Sequence, residues 1–160
     1  MDTENKKKLS MVIFSGEMDK LFAAFSIATG AAASNMDVTM FFTFWGLRAL
    51  KKKVRTGRSF FGRLLGLFYG GDIARATPSK LAFGGIGRWM FKKMMKAKRV
   101  PSLAELRQTA IDLGVKFYGC TTSMEVMEIP REAMIGEVNA CVGVAAFLEQ
   151  AQQSDVSLFI

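Results

Sequence analysis

Two short apolar runs limit the folds open to this chain more than any other feature. Leu9–Ser15 reads LSMVIFS and halts at Gly16, and Asp37–Thr43 reads DVTMFFT. Neither alternates apolar with polar residues as a half-wet strand must. Each therefore predicts a strand buried on both faces, the habit of parallel sheets. Between them, Glu17 to about Asn35 predicts a long helix with Asp19 in its first turn, where the helix dipole favours an acid. A helical crossover of that length joins parallel neighbours.

The alternation continues. Trp45–Val54 is predicted to turn helical. Ser102 and Glu105 form a capping box ahead of a helix that Gly114 stops. Val115–Cys120 (VKFYGC) is the third strand, and Thr122 with Glu125 predicts a second capping box opening a short helical turn. Pro130 opens a helix to about Glu137, followed by a strand at Val138–Val142, a helix over Gly143–Gln153 and a strand at Val156–Ile160. The pattern is α/β, with about five mostly parallel strands between helices. The 160 residues suit a single domain.

Charge divides the chain unevenly. Net charge is +8, yet residues 48–99 hold 15 Lys and Arg against one acid, Asp72, leaving 7 basic and 13 acidic residues elsewhere. A basic, amphipathic insertion at about 48–100 thus interrupts an acidic-to-neutral core. Within it Ile86, Trp89, Met90, Met94 and Ala97 form one stripe, and Arg88, Lys92, Lys96 and Arg99 another, at helical spacing. Phe60, Phe61, Leu64, Leu65 and Phe68 are also helically spaced, and residues 55–83 read as mixed helix and loop. The longest uncharged run, Leu21–Met36, has 16 residues, short of the ~20 a spanning helix needs. The N-terminal MDTENKKKLSMVIF fits no secretory leader, so a cytoplasmic, thiol-reducing setting is expected.

Histidine is absent, which removes His-based triads, Cys–His pairs and His-ligated metals. The cysteines, Cys120 and Cys141, are 21 positions apart and form no C-x-x-C pair. A bridge between them is disfavoured in a reducing compartment. Parallel sheets bind ligands at the carboxyl ends of their strands, where three loops should converge: Ser15–Lys20, Phe44–Leu47 and Cys120–Met124. Cys120 ends a strand just before Thr121, Thr122 and Ser123, so helix-start amides and hydroxyls should favour its thiolate. From position alone, a reactive sulfur and a small buried hydrophobe weigh about equally. Cys141, inside a strand, reads as core. The glycines Gly84, Gly85 and Gly87 have the wrong spacing for a dinucleotide fingerprint.

Four pieces in order resemble the DsrE/DsrF-like family of small sulfur-transfer proteins, in its longer branch with an inserted segment. They are FSGEMDK, TFWGL, PSLAELRQTAIDLGVKFYGC running into CTTSM, and the terminal SLFI. The resemblance implies a flavodoxin-like three-layer α/β sandwich, assembled as a homo-oligomer, trimeric or hexameric. It implies that Cys120 carries sulfane sulfur as a persulfide, received from a rhodanese or a TusA-like carrier and passed on. Asp19 would shape the site with Ser15 and Gly16, Trp45 would wall it, and Thr121, Thr122 and Ser123 would stabilise the anion. Such transfer calls for no metal and no cofactor. Whether the chain turns over as a sulfurtransferase or only carries sulfur is left open.

The alternative is a non-catalytic binding module acting through segment 48–100. Oligomer contact or docking of an acidic partner ranks first for that segment. An anionic membrane surface comes second, which some relatives with the insert also imply. Nucleic acid comes last, since a basic stripe without a recognition motif is only an electrostatic footprint.

Overall fold

The structure, a computed structural model, describes residues 6–80 and 83–160; Leu81 and Ala82 of the 55–83 stretch lie outside them, as do residues 1–5. Both apolar runs are strands, β1 (Lys8–Ile13) and β2 (Asp37–Phe42), joined by helix α1 (Met18–Ala33). Next come α2 (Phe60–Phe68), α3 (Ile86–Ala97) and α4 (Leu103–Asp112), then β3 (Lys116–Cys120), α5 (Thr121–Val126), β4 (Ala140–Val142), α6 (Val144–Ala151) and β5 (Val156–Phe159). All strand pairings are parallel, in the order β4-β3-β2-β1-β5. The five-stranded parallel α/β sandwich expected from the sequence is therefore present.

Strand order dictates where the helices go. From β1 to β4 each crossover steps the same way across the sheet, and right-handed crossovers then stack their helices on one face. α1 and α4 indeed lie side by side there, closing a core around Phe25, Phe42 and Phe117 with ring centroids 5.5–6.2 Å apart. The step from β4 back to β5 reverses direction, so α6 sits alone on the other face, where Phe147 stacks on Phe41 at 4.7 Å. Loops leaving β3 and β4 thus part to opposite faces. The ends of those two strands are where the topology of such sheets puts a ligand site.

Local signals hold in part. The Ser102–Glu105 capping box forms, with Ser102 N–H donating to Glu105 Oε2 at 2.7 Å and Ser102 Oγ accepting from Glu105 N–H at 3.3 Å. Gly114 turns the chain at φ +77°. Other expectations hold only in part or fail. Trp45–Val54 turns helical only as a 3-10 stretch, Phe44–Leu50, which starts from a left-handed Phe44 and gives way to extended backbone at Lys51. Pro130–Glu137 makes only a 3-10 turn at Arg131–Ala133, because Lys51 pairs with Met134 and Ile135 N–H donates to Leu50 O at 2.8 Å. Tertiary pairing cuts both segments down to 3-10 turns. The Thr122 capping box is absent, since α5 starts at Thr121 with Cys120 as its N-cap.

Candidate functional site

Alternation along β3 decides which way each side chain points. Tyr118 and Cys120 face α6; Gly119 faces α1 and α4. Cys120 packs with Phe41 and Phe147 and is only 2% exposed. On the next strand Cys141 pairs with Gly119 and shares its face; a Cβ on Gly119 would lie 3.6 Å from Cys141 Sγ. The two free thiols therefore occupy opposite faces of one sheet. The fold itself rules out a bridge between them.

The Cys120 sulfur is surrounded by donors. Phe42 pairs with Gly119, which sets Thr43 beside Cys120 on the α6 face. Thr43 Oγ1 and Ser123 Oγ are 2.6 Å apart, and Ser123 is buried. Burial alone would push the thiol pKa up. It is outweighed by hydrogen bonds from the Ser123 hydroxyl and amide, the Thr43 hydroxyl and the Thr122 amide, which hold it below its ordinary value. Cys141 has no such donors, so burial raises its thiol pKa, and Arg131 offsets this only in part.

The family model for the DsrE/DsrF/DrsH-like family matches residues 5–159. This chain belongs to that family. Among its DsrE-like relatives, YrkE of Bacillus subtilis (strain 168), an uncharacterized protein, is 36% identical over 160 residues, covering 99% of both chains. The sulfur carrier protein DsrE2 of Allochromatium vinosum is 33% identical over 161 residues, covering 97% of this chain and 99% of that one. The crystal structure of the ychN protein from E. coli superposes with a TM-score of 0.60 at 12% identity, covering 96% of this chain and 99% of that one. That last likeness speaks to the fold.

The residues expected around this DsrE-like site do not all gather at Cys120. Ser123 and the Thr122 amide do; Thr121 is half-buried at the start of α5. Ser15 is buried and organises the start of α1: its Oγ accepts from Glu17 N–H at 3.2 Å. Asp19 is bound elsewhere, its carboxylate taking Ser79 N–H at 2.8 Å and Ser79 O–H at 2.6 Å. Those two bonds outweigh partial burial and keep its pKa low. Trp45 leans on Tyr69 of the basic segment, with centroids 4.4 Å apart. Gly16 locks two loops, because a Cβ there would strike the Trp45 carbonyl, just as one on Gly46 would strike that of Ile13. Thr43 is the contributor that sequence reading missed. Its only signal was its place at the end of β2, level with Cys120.

A pocket of about 650 Å³ lies between the Ile73–Arg75 turn, α3 and the start of α4, and neither cysteine lines it. Among the described residues no helix is long and apolar enough to cross a membrane. No cluster of three or more metal-ligating side chains occurs among them either.

Proposed function

We propose that this protein is a sulfur-relay carrier that holds sulfane sulfur as a persulfide on Cys120. The carrying observation is the donor set around that sulfur, the Thr43 and Ser123 hydroxyls 2.6 Å apart and the Thr122 amide, at the end of β3. Family membership and the DsrE2 sulfur carrier support the same reading.

The chemistry follows from thiolate character. Cys120 thiolate attacks the outer sulfur of a donor persulfide, R–S–SH. The new Sγ–S bond forms as the donor's S–S bond breaks, and RS⁻ leaves with the electron pair. In the second half an acceptor thiolate attacks the terminal sulfur of Cys120–S–SH, and Cys120 departs as thiolate. The donors that stabilise the nucleophile also stabilise the leaving group. A rhodanese or a TusA-like protein is the proposed partner. Because Cys120 is buried beneath Phe147, α6 has to move aside for either half-reaction.

Intact mass spectrometry after exposure to polysulfide or a loaded rhodanese tests the proposal. A reducible gain of one or more sulfurs, lost in Cys120→Ser and kept in Cys141→Ser, is the expected result. Equal loading of both cysteines, or of neither, would sink it. Self-association is proposed through the thinly covered α6 face, where Phe14, Phe44 and the exposed Phe159 cluster with ring centroids 5.8 and 6.0 Å apart. A monomeric mass in solution light scattering would remove that part.

A second reading has its own observation. Phe60, Phe61, Leu67, Ile86 and Trp89 are all more than 60% exposed within the basic segment, the pattern of a surface that meets anionic lipid. Co-sedimentation with liposomes should then require anionic lipid and weaken with salt. Absence of binding at low salt would exclude it.

A further inference from the structure

Arg48 and Lys51 stand at the root of the basic segment, 7% and 4% exposed. Among the described residues neither forms an ion pair, and the Asp72 carboxylate acts on Arg48 only at longer range. A buried charge without a counter-charge is costly, and here two of like sign lie one 3-10 turn apart. Arg48 Nη2 donates to Tyr69 O at 3.0 Å and its guanidinium rests 4.0 Å from the Tyr69 ring centroid, but Nε is buried with no acceptor. Lys51 Nζ makes one hydrogen bond, to Thr56 Oγ1 at 3.1 Å. Burial, followed by the Arg48 charge, holds the Lys51 ammonium below its ordinary pKa. Both side chains line a small, partly open space of about 20 Å³, walled by Trp45, Tyr69 and Met127.

We propose that this space binds one compact monoanion of halide size, held between the Arg48 guanidinium and the Lys51 ammonium. Space and donors both fit. Space for about one water-sized body fits a monatomic anion better than sulfate, phosphate or a carboxylate. The orphaned Nε–H and the remaining Lys51 N–H groups supply charge-assisted donors, and the walls offer no competing anion. One negative charge relieves the repulsion between the two cations. Because Met127 follows α5 while Tyr69 belongs to the basic segment, the anion would fasten that segment to the body of the fold. The proposal is independent of the sulfur reading.

Chloride is the probe, titrated into the full-length protein in gluconate buffer at constant ionic strength. The wild type should broaden the chloride NMR line saturably, bromide should displace it, and the thermal midpoint should climb with chloride. Lys51→Met keeps the side-chain bulk and removes the charge. It should weaken the broadening at least about tenfold and flatten the chloride dependence of the midpoint. Lys51→Glu, which supplies an internal counter-charge to Arg48, should abolish both effects and raise the midpoint in chloride-free buffer. It also serves if Lys51→Met fails to fold. Wild-type broadening that does not saturate, or that persists unchanged in either variant, would overturn the site.

Discussion

Cys120 and Cys141 lie on neighbouring strands one register step apart, in the same sheet and at the same end of it. Cys120 is buried and Cys141 half-buried, and their thiols shift in opposite directions. Strand alternation turns one toward α6 and the hydroxyls of Thr43 and Ser123, and the other toward methionine sulfur: a Cβ on Gly119, between them, would lie 3.4 Å from Met124 Sδ and 3.6 Å from Met134 Sδ. Burial opposes the thiolate in both places. What separates them is the supply of hydrogen-bond donors.

Removing the donors should break the contrast most sharply. In Thr43→Val with Ser123→Ala, only the Ser123 and Thr122 amides still oppose burial at Cys120, and its alkylation near neutral pH should slow about tenfold per hydroxyl lost. An unchanged rate would mean the hydroxyls are bystanders. In the intact protein the pH profiles should separate, because a depressed pKa keeps the thiolate present to lower pH. Cys120 labelling should therefore fall off below the ordinary thiol range, and that of Cys141 should rise only above it. Coincident profiles would erase the distinction.

Phe147→Ala addresses access instead of acidity. It strips the cover from Cys120 and should speed labelling of that thiol while leaving Cys141 as it was, at a stability loss of about 3 kcal/mol by urea unfolding. Equal acceleration at both cysteines would point to general loosening and not to a cover. The smallest effect is expected from Gly119→Ala. Its methyl reaches only ordinary contact distances, and a less flexible unfolded chain should add ~0.4–1 kcal/mol of stability. Labelling of Cys141 should drop slightly and that of Cys120 stay put. A change at Cys120 would show that the two faces are coupled.

The legible parts of this molecule were those written locally. Apolar runs marked β1 and β2, the Ser102–Glu105 spacing marked the start of α4, and VKFYGC ahead of hydroxyl residues put Cys120 at a strand end. What escaped depended on distant partners. Thr43 meets Ser123 across 80 positions through the β2–β3 register. The segment after Pro130 reads as helix until Leu50 and Lys51 pair with it. Trp45 and Asp19 turn toward Tyr69 and Ser79, inside the stretch where the sequence offers least pattern.

The strand order also has a consequence in time. β1 lies between β2 and β5, so a chain emerging from its N-terminus completes β1 first and closes its second edge last. Phe147 arrives in that same final stretch, just ahead of β5. Until it docks, the Cys120 thiol is present without its cover. During synthesis this sulfur is thus open to oxidants and to sulfur donors for at least as long as residues 121–147 take to be made, at roughly 5–20 residues per second.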